Sequence, residues 1–166
     1  DDDGKPAPDG APGEVCVRGP NVMQGYYNRP DANAETLRDG WLHTGDVGYR
    51  DEDGYFFLVD RKKDMIIRGG ENIYPREVED VLLEHAAVKE AAVVGRPDEV
   101  RGEEVHAVVA VAQDVEAEQL EEHCRARLAP FKVPSTWELV PELPKTSTGK
   151  IDKKPLRARL ESGSAA

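Results

Sequence analysis

The chain has 166 residues, 39% of them hydrophobic and 6% aromatic, and its 22 Lys and Arg against 33 Asp and Glu leave a formal net charge of −11. So much negative charge repels phosphate polymers and anionic lipid, which excludes broad nucleic-acid or membrane-surface binding but leaves room for a small anion at locally gathered positive charge. No apolar run nears the ~18 residues of a bilayer span, the DDDGKPAPDGAPG opening is unlike a signal peptide, and Cys16 and Cys124 lack the spacing of a metal knuckle or a disulfide scaffold, so a reducing cytoplasm is expected.

The first residue is Asp, and the polar, Pro/Gly-rich opening reads as loop and as an internal piece of a longer chain. GEVCVRG then gives a strand from Gly13, with Val15 and Val17 alternating with polar neighbours. A short helix is predicted over 30–37, where Pro suits the first turn. Asp53-Gly54 supplies a tight turn, so residues 47–50 should pair with 55–59. Five charged residues at 60–64 mark either a hinge or a solvated turn. MIIRGGENIYP reads as strand, glycine bend and exit. Pro75 opens a helix whose Val78, Val81 and Leu82 share one face. Two strands follow over 88–98 and 103–112, then a helix over 117–128 with Leu120, Cys124 and Leu128 at every fourth position. LAPFKVP should not be helical. A strand over 136–140, the loop PKTSTGK, a basic helix over 153–160 and a frayed tail over 161–166 complete the chain. Strands separated by helices give a modest α/β layer.

Chemistry concentrates in a few fragments. In LPKTSTGKIDK, small hydroxyl residues and a glycine leave little bulk beside Lys150, so its ammonium can approach an anionic oxygen closely. The segment is not a phosphate-binding P-loop, because the earlier glycine is absent and Ile151 stands where Ser or Thr is required. Asp46, after Thr44-Gly45, is expected to project from a turn and to accept two hydroxyl hydrogen bonds, as ribose recognition needs; an Asx turn explains the same residues. Arg61 is either a ligand contact or a surface charge. Gly69-Gly70 admits an extended ligand close to the backbone, or forms a β-bulge.

TGD at 44–46, DRKKDMIIRGGENIYPREVE at 60–79 and PKTSTGK at 144–150 stand in the order and approximate spacing found in the adenylate-forming family. The chain resembles that family from Gly13 to Leu160, and GWLHTGDVGY with RGGENIYPREVE is most similar to bacterial fatty-acyl and related carboxylic-acid CoA ligases. The resemblance implies an α+β fold. Residues 1–59 would end a β-rich subdomain of a large N-terminal domain, 60–63 would be a hinge, 64–160 a small mobile α/β C-terminal domain, and 161–166 a disordered tail. The ATP loop, the YGxTE-like segment and the acyl pocket of the family are not in this sequence, so a C-terminal portion, inactive by itself, is expected.

The resemblance also implies chemistry: a carboxylic acid reacts with Mg-ATP to give an acyl-adenylate and pyrophosphate, and the acyl group then passes to the thiol of coenzyme A. Lys150 matches the catalytic, ATP-contacting lysine, and Asp46 and Arg61 match nucleotide contacts. Lys63 matches the hinge residue. Gly69, Gly70, Glu71, Arg101 and Lys132 match positions that meet CoA. The Mg2+ site would lie in the large domain, with no metal ligand in this chain. Lys150 also resembles the lysine that protein acetyltransferases modify in some relatives. Alternatives are transfer to a carrier protein, or a non-catalytic CoA-binding piece. The acid itself is not legible, since its pocket lies elsewhere.

Overall fold

The computed structural model describes residue 1 and residues 3–163. It divides into two compact units, Asp1–Lys63 and the residues from Asp64 onward.

The first unit is an antiparallel sheet. Its elements are β1 (Gly13–Val17), α1 (Pro30–Thr36), β2 (Leu37–Arg38), β3 (Trp41–Arg50) and β4 (Phe56–Arg61). Strand β3 is central: Leu42 faces Val17 of β1 on one edge and Leu37 of β2 on the other, and further along β3 pairs with β4. The β3–β4 turn closes as the Asp53-Gly54 pair requires, with Gly54 at φ +85° and the Gly54 N–H donating to the Asp51 carbonyl at 3.1 Å. Helix α1 begins at Pro30 as predicted but ends at Thr36, because Leu37 is already extended and feeds β2. Gly48 is required for a different reason. A Cβ there would lie 2.6 Å from the Phe57 carbonyl oxygen, so only glycine lets the two strands approach.

The second unit contains β5 (Ile66–Arg68), β6 (Glu71–Ile73), α2 (Pro75–Leu83), β7 (Val88–Asp98), β8 (Gly102–Val111), α3 (Ala117–Arg125), β9 (Thr136–Val140) and α4 (Lys153–Glu161). The sheet runs β6-β5-β8-β7, with β9 joining β8 in parallel. Strand alternation sends Ala91 and Val93 to one face and Ala92 and Val94 to the other, and both sets are buried. On the first face they pack with Val78 and Leu82 of α2 and Leu120 and Cys124 of α3. On the second they pack with Leu143 and with Leu156 of α4. A strand covered on both sides reads as a continuous apolar run, which is why β8 shows VHAVVAV with little polar alternation. Burial pushes the Cys124 thiol up to about 11, so it behaves as a core side chain. His106, the buried polar exception on β8, shares a 2.8 Å hydrogen bond through Nδ1 with the Thr136 hydroxyl across the β8–β9 pairing.

Four expectations change in detail. The segment 65–75 forms two strands around a turn. Helix α3 stops at Arg125, short of 128: Ala126 caps it, and the Arg127 and Leu128 N–H groups both turn back to the Cys124 carbonyl, at 3.0 and 2.8 Å. Inside LAPFKVP, Pro130–Lys132 form a single 3-10 turn, since a proline can open a turn whose N–H it does not need. Glu161 belongs to α4, and residues 164–166 of the expected tail lie outside the described residues. No helix among the described residues is long and apolar enough to cross a membrane.

Candidate active site

In the first unit Asp46 and Arg61 are cross-strand partners on β3 and β4, with Arg61 Nε 2.7 Å from Asp46 Oδ1. Asp46 does not project from a turn, contrary to expectation. It lies within β3, and the apparent turn signal has a local cause: Gly45 takes φ +71° inside the strand. The Thr44 hydroxyl donates to the Val15 carbonyl at 2.7 Å and accepts the Asp46 N–H at 3.1 Å. The Gly45 N–H donates to Glu14 Oε1 at 3.2 Å. Each residue of the Thr-Gly-Asp triplet is therefore fixed, and the carboxylate, 29% exposed, stays open to a hydroxyl donor beside a guanidinium.

In the second unit the Gly69-Gly70 turn joins β5 to β6 with φ +60° and +89°, the two positive values of a type I′ hairpin; it is not a bulge. The space where their Cβ atoms would stand is open, which fits the passage of a slender chain over the turn. Glu71 begins β6 and is exposed. The turn is tied to its surroundings, since the Gly69 N–H donates to the Arg101 carbonyl at 2.8 Å. Arg68, only 12% exposed, donates through one guanidinium nitrogen to the Phe131 carbonyl and pairs through the other with Glu104, both at 2.7 Å. Arg101 pairs with the same Glu104 at 2.9 Å. The glycine turn, Arg101 and the loop bearing Lys132 thus meet around Arg68 and Glu104. Lys132 Nζ lies 2.7 Å from both Glu77 carboxylate oxygens, so its charge is already engaged.

Lys150 sits on a different loop of that unit. A bridge between Lys145 and Ile151 closes it, and the Thr146 N–H donates to the Lys150 carbonyl at 2.8 Å. The N–H groups of Gly149 and Lys150 are consumed inside the loop, by the Thr146 carbonyl at 2.9 Å and the Thr146 hydroxyl at 3.3 Å. They cannot cradle a phosphate, in line with the failed P-loop pattern. The loop is anchored at both ends. Leu143 is buried against Leu156, Lys145 pairs with Glu90 at 2.7 Å, and Asp152 caps α4. The Lys150 side chain is exposed. No described residue lies within ion-pair distance of its ammonium. Lys63 is exposed in the 3-10 turn Lys62–Asp64, where the two units divide.

A family model described as the AMP-binding enzyme C-terminal domain matches residues 77–150. A long-chain-fatty-acid–CoA ligase of Bacillus subtilis is 55% identical over 150 residues, spanning 89% of this chain and 26% of that enzyme. This chain belongs to the adenylate-forming, AMP-binding family as a C-terminal portion of it. Among solved structures, o-succinylbenzoate CoA synthetase of Bacillus subtilis, in complex with its acyl-adenylate intermediate, is 43% identical with a TM-score of 0.86, over 96% of this chain and 32% of that one. An amide bond synthetase of Marinactinospora thermotolerans is 48% identical, also at 0.86, over 95% of this chain and 33% of that one. The chain spans no more than about a third of the length of these relatives.

In the second unit, sequence reasoning missed Arg68, Glu77 and Glu104, the side chains that organise the glycine turn and hold Lys132. Arg68 sits in an apolar strand next to a glycine pair, and only its low exposure in the folded unit marks it.

Proposed function

We propose that this chain is the C-terminal portion of an ATP-dependent carboxylic acid–CoA ligase, with a fatty acid or similar carboxylic acid as substrate. The observation that carries the reading is Lys150, an exposed ammonium without an acceptor among the described residues, on a loop anchored at both ends. A carboxylate approaching the α-phosphate of ATP brings anions together, and a positioned lysine that meets both lowers the barrier electrostatically. Asp46 accepts the ribose hydroxyls while Arg61 orients its carboxylate and meets the nucleotide. Mg2+ accompanies ATP and is held outside these residues.

The thioester step uses the second unit's other face of chemistry. The open turn Gly69-Gly70, with Glu71 beside it, receives the pantetheine chain of CoA. Arg101 and Lys132 supply positive charge to its phosphates, after partial release from Glu104 and Glu77. Lys63 is the hinge through which the two half-reactions alternate. The free thiols Cys16 and Cys124 suit a reducing cytoplasm. An exposed lysine of this kind also offers an acetyltransferase its target, and acetylation would remove the charge adenylation needs.

The test is ATP–pyrophosphate exchange by the intact polypeptide carrying this chain, followed by acyl transfer to CoA, to a holo-carrier protein and to an amine. Thioester formation with CoA supports the reading, whereas transfer only to a carrier protein or an amine replaces the acceptor. The 166-residue chain alone should show no exchange. Exchange by the chain alone would contradict its role as a portion that completes a larger enzyme.

A further inference from the structure

Strand pairing creates a cluster that no spacing in the sequence announces. Cys16 of β1 faces His43 of β3, and Glu14, across an irregularity in the same ladder, reaches the same point. Cys16 Sγ lies 3.4 Å from His43 Nδ1, and His43 Nδ1 lies 3.2 Å from Glu14 Oε2. All three donor atoms fall within 4.8 Å of one another. Around a tetrahedral ion with Zn–S of about 2.3 Å and Zn–N and Zn–O of about 2.0 Å, neighbouring ligand atoms stand about 3.3–3.6 Å apart. The 3.4 Å edge has that length, the 3.2 Å edge falls about 0.1 Å short of it, and the third lies within 4.8 Å.

We propose that Glu14, Cys16 and His43 form a three-ligand site for a divalent ion of the Zn2+ class, with the fourth position open to water. The assignment stands apart from the ligase reading: none of its three ligands is a site residue of that reading, although Glu14 also holds the Gly45 N–H of the Thr-Gly-Asp triplet. Thiolate, imidazole and carboxylate together suit a borderline-soft ion better than Mg2+ or Ca2+. The Gly45 N–H on Glu14 Oε1 orients the carboxylate from behind, as outer-shell donors do in metal sites. The position already attracts cations: Arg38 reaches to 2.8 Å from His43 Nδ1, and Lys62 Nζ to 3.4 Å from Glu14 Oε2. Both side chains are about half exposed, at 51% and 45%, so either can swing into solvent when an ion enters. Burial raises the Glu14 carboxyl, but the His43 hydrogen bond, Lys62 and the Gly45 N–H together hold it below the usual range, so it is ionised. Binding through the Cys16 sulfur would release the thiol proton to solvent, as thiolate coordination requires.

The test is titration of the 166-residue chain with Co2+, read by thiolate-to-Co2+ charge-transfer absorption. One equivalent should saturate the band, and Zn2+ should bleach it. Cys16→Ser should abolish it, and Glu14→Gln should weaken Co2+ binding about 10–100-fold. Arg38→Ala should tighten binding several-fold by removing the competing guanidinium, an effect that a purely structural ion-pair network would not give. Circular dichroism confirms that each variant is folded. If Cys16→Ser fails to fold, the Arg38→Ala titration and the Zn2+ bleaching decide. Absence of the band in the unaltered chain, its survival in folded Cys16→Ser, or unchanged affinity in Arg38→Ala would overturn the assignment.

Discussion

In the second unit both faces of β7 and β8 are sealed by helices, and Val93, Val94, Val105 and Val109 are each 0% exposed. In the first, only Val47 and Gly48 are buried among the described residues, while Tyr55, Phe56 and Leu58 stand 69%, 67% and 60% exposed. The second unit is held by apolar area removed from water, the first by its backbone ladder and by polar side chains such as Glu14, His43 and Thr44. The difference matters for chemistry. Lys150 and the glycine turn ride on a unit with its own core, whereas Asp46 and Arg61 are part of a sheet whose geometry depends on close strand contacts.

The comparison can be broken by mutation, starting with the largest effect. Leu82→Ala empties a 0% exposed position against β7 and should cost about 2–5 kcal/mol, all of it in the second unit. Hydrogen exchange should show amides of β7 and β8 losing protection while those of β3 keep theirs, and equal loss in β3 would show that the units do not unfold separately. Gly48→Ala attacks the first unit instead. Its Cβ meets the Phe57 carbonyl oxygen, so a loss of about 1–3 kcal/mol is expected in denaturant titrations, confined to the β3–β4 pairing.

A smaller effect separates the units by pH. Burial holds His106 below the ordinary histidine value, against the opposing charge of Glu138. The unfolded chain therefore takes up a proton near pH ~6.5 that the folded unit refuses. Stability conferred by neutral His106 is complete above that pH and falls as the pH drops toward the lower folded value. Thermal unfolding between pH 7.5 and pH 5.5, taken as roughly a unit either side of the free histidine value, should show this slope in the second unit, and His106→Gln should flatten it. The smallest change is expected from Arg125→Ala, which removes an exposed pair with Glu121 one helical turn away and should cost no more than about 0.5 kcal/mol.

Much of the second unit was legible because its signals are local. The i, i+3, i+4 pattern of Val78, Val81 and Leu82 marks α2, and two apolar runs joined by a polar turn mark β7 and β8, where Asp98 closes the turn by accepting the Val100 and Arg101 N–H groups. The loop of Lys150 was legible from its glycine and its small hydroxyl residues. Asp46 was misplaced because a glycine at positive φ inside a strand has the same sequence signature as a turn. The Gly69-Gly70 hairpin was ambiguous because nothing local distinguishes a bulge from a turn until the pairing of Ile66 with Ile73 is known. Glu14, Cys16 and His43, like Arg68 and Glu104, meet only through pairing between strands distant in sequence, and no periodicity encodes that.

The most direct measurement of the central claim is ATP–pyrophosphate exchange by the intact polypeptide with Lys150→Ala beside the unaltered protein. The account predicts a fall on the order of 10²–10³-fold with folding unchanged, as for loss of one donor aimed at the transition-state charge. Exchange at the unaltered rate would show that Lys150 takes no part in forming the adenylate.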